Sequence, residues 1–384
     1  MDAQTLYDFT PVARMALLGI VIALGPLAWV WLRHRSAAPA QRLAALTLLT
    51  LFLTFDLILF GAFTRLTDSG LGCPDWPGCY GSASPFGAHE QISAAQAEAP
   101  TGPVTHQKAW IEMVHRYLAT GVGVLITVMA IAAWLLRREI ALSPWWATVT
   151  LAWVCVQGAF GALTVTWKLY PAIVTAHLLG GLILLALLAA QAQVFRGRRL
   201  PLVGGVHLLA WVVFLLVWVQ VALGGWVSTN YAVLACGGFP TCNGSWWPEM
   251  DFDHGYTLLR ELGAGKDGGY LPFPALVAIH YTHRLAAYVV FVAVGLLAWR
   301  LLAVHGQDRS ARRFAWALAG CALWQLGTGL SNVVLGWPLV AAVSHTGGAA
   351  ALVGVLTALL TRARLTQAAP DRLAAAAAGP RLAS

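Results

Sequence analysis

The sequence predicts an all-α polytopic membrane protein made of two pseudo-symmetric four-helix bundles plus one extra N-terminal transmembrane helix. Three observations predict it: a composition too apolar for water, arginines that alternate from one connection to the next, and an internal repeat. Of 384 residues, 59% are hydrophobic and 10% charged, with a mean hydropathy of +0.69. A soluble domain is about a quarter charged. Crossing the hydrocarbon core takes about 20 mostly apolar residues. Nine such stretches are present, at roughly 12–32, 43–64, 109–136, 145–167, 171–195, 204–227, 273–302, 312–335 and 338–362.

The formal charge of +8 does not point to nucleic acid, because of where it sits. Arg33, Arg35 and Arg42 follow the first stretch, Arg137 and Arg138 the third, and Arg196, Arg198 and Arg199 the fifth. Arg300, Arg309, Arg312 and Arg313 follow the seventh, and Arg362, Arg364, Arg372 and Arg381 the ninth. Arginine-rich connections face the cytoplasm, which puts the N-terminus and the 65–108 and 228–272 segments outside and the C-terminus inside. The first stretch reads as an anchor rather than a cleavable signal, since Asp2 and Asp8 precede it and its positive charge follows it. The chain then divides into the extra helix at 1–36, a first half at 37–199, a second half at 200–365 and an alanine-rich, disordered cytoplasmic tail at 366–384.

The repeat organises the chemistry. His115-Arg116 recurs 168 positions later as His283-Arg284, His177 as His345, and Gln157 with Gly161 as Gln325 with Gly329. Cys73 and Cys79 recur 163 positions later as Cys236 and Cys242. Each half therefore runs span, outer loop with two cysteines, span opening with His-Arg, span, and span opening with His.

Ionisable side chains inside a membrane are costly and usually functional. All four repeated histidines lie roughly 10 Å below the outer surface, at about 1.5 Å of rise per residue. Equal depth on two helices of one bundle is what the two axial ligands of a heme require. Gly180 and Gly181 follow His177, and Gly347 and Gly348 follow His345, where they would let a porphyrin face approach the helix. Arg116 and Arg284, next to the ligands, are candidates to pair with heme propionates. The position equivalent to His280 is Glu112, so the halves differ by a carboxylate against an imidazole near the ligand. Glu112 is a candidate functional acid, its plainer alternative being an ion pair with Arg116. Asp56, in the second stretch, reads as a helix cap or a hydrogen bond to a neighbouring helix, with a proton relay as the functional alternative. Cys73-Cys79 and Cys236-Cys242 read as two intraloop disulfides outside the membrane, a redox-active dithiol being the alternative. Cys155 and Cys321 read as small core residues.

Several segments together resemble the heme A synthase family. They are Gly61-Ala62-Phe63-Thr64-Arg65-Leu66-Thr67 with Ser69-Gly70-Leu71, Glu112-Met113-Val114-His115-Arg116, Thr175-Ala176-His177, His283-Arg284 and Ser344-His345-Thr346-Gly347-Gly348. The resemblance runs from about Phe60 to Leu360; the family has eight spans, so the stretch at 12–32 is a departure. It implies oxidation of a methyl group of heme O, the substrate, to the formyl group of heme A for terminal oxidases. It implies a heme b cofactor on His283 and His345, substrate near His115 and His177, and Glu112 as a functional acid. It further implies a bacterial-type inner (plasma) membrane location, with a heme O synthase and oxidase assembly factors as partners. A bis-histidine iron has no open position, so either one histidine lets go or electrons leave through the iron to the second heme. Two other classes fit the residues less well. A diheme electron carrier linked to quinone does not account for Glu112 in one half only. A heme-handling or export component does not account for paired ligands in both.

Overall fold

In the computed structural model, which describes residues 10–140 and 142–377, the chain is helical apart from loops and isolated bridges. The helices are α1 (Thr10–Arg33), α2 (Pro39–Leu66), α3 (His89–Glu98), α4 (His106–Leu135), α5 (Pro144–Thr166), α6 (Pro171–Arg196), α7 (Gly204–Thr229), α8 (Phe252–Gly255), α9 (Phe273–His305), α10 (Arg309–Val334) and α11 (Leu339–Ala377). Local chemistry sets many ends. Proline occupies the first turn of α2, α5, α6 and α9, where its missing N–H costs nothing. The Thr105 hydroxyl accepts from the Lys108 N–H to cap α4, and the Asp308 carboxylate caps α10. Gly197, at φ 61°, closes α6 in the left-handed region that glycine enters without strain.

Eight of these helices are long and apolar enough to cross a membrane. The ninth expected span corresponds to α10, which is 26 residues long but falls short in hydropathy. Arg309, Arg312 and Arg313 crowd its start, and Gln325, Thr328, Ser331 and Asn332 run along it. It nevertheless packs between α9 and α11. Helix α11 continues to Ala377 rather than giving way to irregular chain at 366, in keeping with alanine's high helix propensity; the rest of the expected tail lies outside the described residues.

Helix contacts close into two rings of four. In the first, α2, α4, α5 and α6 each touch the next and α6 returns to α2; in the second, α7, α9, α10 and α11 do the same. The rings meet where α6 and α11 pack on each other, α2 on α11, and α6 on α7. The largest buried core, with Leu297, Leu301, Leu318, Val353 and Leu356, fills the second ring and the junction. A second core around Leu125, Ile126, Met129 and Leu188 fills the first. Helix α1 lies outside the first ring against α4, where Gly19 abuts Thr120 and Gly121 abuts Ile22.

Both disulfides are formed, Cys73–Cys79 and Cys236–Cys242, each with Cα atoms 4.9 Å apart. In both loops the second cysteine bridges to a serine three residues on, Ser82 and Ser245. A tyrosine of the adjacent helix ties each loop down: the Tyr117 hydroxyl donates to the Ala83 carbonyl and that of Tyr281 to the Trp246 carbonyl, both at 2.7 Å. The two loops share one end of the molecule, the loop end, where Asp68 and Tyr231 join the rings through a 2.6 Å hydrogen bond.

Candidate functional site

His115 lies on α4 and His177 on α6; His283 lies on α9 and His345 on α11. In each ring these helices stand at opposite corners, making no contact with one another. All four are half-buried rather than packed over by neighbours.

Each imidazole rests against a glycine of the next helix. A Cβ at Gly61 would stand 3.0 Å from Cε1 of His115, and one at Gly161 3.6 Å from Cε1 of His177. At Gly224 and Gly329 it would stand 2.9 and 3.1 Å from Cε1 of His283 and His345. Only a residue without Cβ leaves the three tighter rings their present seats. The surroundings of Nδ1 differ between rings. Nδ1 of His115 and of His177 is buried with no hydrogen-bond partner among the described residues. His283 Nδ1 has Gln220 Nε2 at 3.1 Å, and His345 Nδ1 has Thr328 Oγ1 at 2.9 Å. Gln220 and Gln325 also donate to the backbone carbonyls of His283 and His345. Two imidazoles on diagonal helices, each backed by a glycine of the next helix, are a donor set that fits a bis-histidine heme in each ring.

One turn toward the loop end, the two rings diverge. Glu112 is 3% exposed. One of its carboxylate oxygens pairs with Arg116, and the other accepts the Cys73 N–H at 2.8 Å. Arg116 donates further to the carbonyls of Asp75, Pro77 and Gly78. In the second ring Arg284 donates to the carbonyls of Cys236, Gly238 and Thr241. His280, 5% exposed, has its Nδ1 3.0 Å from the Ala232 carbonyl. The arginines expected to face propionates are instead engaged by the disulfide loops, and Glu112 makes the ion pair that was its plainer reading.

The glycines singled out in the sequence serve helix packing. Gly180 lies against the Gln157 side chain, Gly181 against Ile58, Gly347 against Leu59, and Gly348 against Gln325 and Trp324. The glycines that seat the imidazoles include Gly61, which the sequence marks only within a family-like segment, and Gly224, and the two recur at the 163-residue offset of the cysteines. Gln220, Thr328 and Arg65 have no counterpart in the other half, so the repeat did not single them out. Asp56 is exposed and makes no hydrogen bond or ion pair among the described residues, contrary to the helix contact expected for it. Cys155 is exposed on α5 rather than in the core, while Cys321 is half-buried.

Comparison with known proteins identifies the family. A family model described as cytochrome oxidase assembly protein (COX15-CtaA) matches residues 44–357, from α2 into α11. A protein of Shewanella oneidensis named heme A synthase is 37% identical over 324 residues, covering 83% of this chain and 96% of its own length. Proteins of the same name from Halalkalibacterium halodurans and Caulobacter vibrioides are 26% and 28% identical, over 75% and 81% of this chain and 86% and 93% of theirs. The matched region contains both rings and all four histidines, and the chain belongs to the heme A synthase family.

Proposed function

We propose that this chain oxidises a methyl substituent of heme O to the formyl group of heme A for terminal oxidase assembly. The observation that carries the reading is a doubled ring with a histidine on each of two diagonal helices in each copy and a carboxylate, Glu112, added in only one. In this reading the first ring holds heme O, the substrate, between His115 and His177. The second ring holds heme b between His283 and His345. Heme b, when bound, supplies a one-electron acceptor.

The chain's own residues then have distinct tasks. Neutral imidazoles offer nitrogen to iron, and the glycines behind them let the rings turn to face each other. Gln220 and Thr328 fix the second pair from behind, the outer contact that sets a ligand's orientation. With water as the oxygen donor (R–CH3 + H2O → R–CHO + 4 H+ + 4 e−), methyl oxidation releases protons together with electrons, and the electrons pass singly to an acceptor outside the chain. Glu112, one turn from His115, is the carboxylate placed to receive a proton, and Arg116 with the Cys73 N–H sets its position. The loop end faces the outside of a bacterial-type inner membrane, with the N-terminus there and the C-terminus in the cytoplasm, as the arginine distribution requires. A heme O synthase and oxidase assembly factors are the expected partners.

The test is to purify the protein from cells making heme O and separate the extracted hemes by chromatography. Heme A is expected only where the protein is active. Heme B alone in every preparation would replace this reading with that of a diheme electron carrier.

A further inference from the structure

Arg116 is spent on Glu112 and three loop carbonyls, and Arg284 on three loop carbonyls, so both are turned to the disulfide loops. The seam between the rings offers another arginine. Arg65 follows Gly61 by four residues, so it lies on the same face of α2, about 6 Å nearer the loop end. That is the face against which the His115 ring rests. The Arg65 side chain is half-buried. Its Nη2 donates to the Ser228 carbonyl at 2.7 Å, and its guanidinium lies 4.0 Å over the Tyr231 ring.

No carboxylate pairs with Arg65 among the described residues. Asp68, the acid closest to it in sequence, accepts from the Tyr231 hydroxyl and pairs with Lys108 at 3.3 Å. A half-buried guanidinium with no anion calls for one, and its planar fork matches a carboxylate. The repeat adds the decisive contrast. The position 163 residues on, which follows Gly224 as Arg65 follows Gly61, is Ser228, an uncharged residue whose carbonyl Arg65 borrows. The first ring therefore carries a cation one turn from its imidazole seat, and the second carries none at that place.

We propose that Arg65 binds a propionate carboxylate of the porphyrin held in the first ring, so that it helps to fix which way the substrate's edge points. The proposal rests on the reading of the first ring as a heme site. Capping the last turn of α7 is the competing role, since cations favour helix C-termini.

The experiment is redox potentiometry on heme-loaded wild type, Arg65→Gln and Arg65→Lys, with a His177→Met variant identifying the component that belongs to the first ring. A cation beside the porphyrin disfavours the oxidised, more positive heme. Arg65→Gln is therefore expected to lower the first-ring potential and leave the second-ring potential in place, while Arg65→Lys recovers most of the shift. Should Arg65→Gln lose its first-ring heme, recovery of heme content in Arg65→Lys supports the same conclusion. An unchanged potential in Arg65→Gln, or equal shifts or equal heme loss in both variants, overturns the assignment and leaves a helix cap. A first ring without heme in the wild type overturns the ring's reading and this proposal with it.

Discussion

The first ring fastens its disulfide loop with an arginine paired to a buried carboxylate, and the second fastens the matching loop with an arginine that has no carboxylate partner among the described residues. Arg116 and Arg284 do the same mechanical work, each gathering loop carbonyls against a ligand-bearing helix. Beside them stand Glu112 in one ring and His280 in the other. The contrast extends to the imidazoles. Those of the second ring have Gln220 and Thr328 beside Nδ1, and those of the first have no partner there. Duplication preserved the scaffold while the groups around the ligands parted. An imidazole pair fixed by neighbours suits a permanent cofactor. A pair left to settle around its guest suits a molecule that arrives, reacts and leaves.

The comparison breaks most readily at the ligands. Replacing His283 or His345 with Met should abolish the normal heme b spectrum of the second ring, while His115→Met leaves that spectrum in place and stops heme A formation. Absorption spectra of the three purified variants check this, and an unaltered spectrum in both second-ring variants removes that site.

A smaller effect is expected at the divergent pair. Glu112→Ala leaves Arg116 buried without its anion, a loss of about 3–5 kcal/mol. His280→Ala gives up a hydrogen bond to a carbonyl, about 1 kcal/mol. Thermal denaturation should rank the two accordingly, and heme A should be missing only from the Glu112 variant, with heme O or a partly oxidised alcohol form in its place. Glu112→Gln sharpens the point, because an amide can still accept the Cys73 N–H but is a poor proton acceptor. Full heme A production by Glu112→Gln would make the residue a fastener and nothing more.

The smallest effect separates the two sets of glycines. Gly224→Ala would push a methyl to 2.9 Å from the His283 ring, at a cost of about 1–3 kcal/mol with a changed heme spectrum. Gly181→Ala meets nothing closer than Ile58 at 3.9 Å and should stabilise α6 by roughly 0.5–1 kcal/mol with the spectrum unchanged. Equal spectra for both variants would mean that the glycine seats do not matter.

Patterns along the chain were enough to read the long apolar helices, the repeat and the disulfides, since each leaves a periodic or matched trace. What they missed is what depends on neighbours. Arg116 follows His115 by one residue, which turns it about 100° around the helix, away from the ligand and under the loop. Gly180 and Gly181 share a face with His177 on its own helix, but the room an imidazole needs is on the adjacent helix, and no single-helix pattern names that neighbour. Helix α10 fell short of a span in composition because its polar residues, Gln325 and Thr328 among them, are spent on His345.

The seam between the rings has a consequence of its own. Helix α2 packs on α11 as α7 packs on α6, while α6 meets α11, its own counterpart. That reciprocity, in which i touches j and j touches i, belongs to the isologous interface of a two-fold dimer. The chain has the contact pattern of a two-fold dimer within one polypeptide, and the segment from Gly197 to Val203 joins α6 to α7. Fusion freed each copy to change alone, which a true two-fold dimer forbids, because every substitution there appears twice. Severed within that segment and produced together, the two pieces should find each other through the same surface.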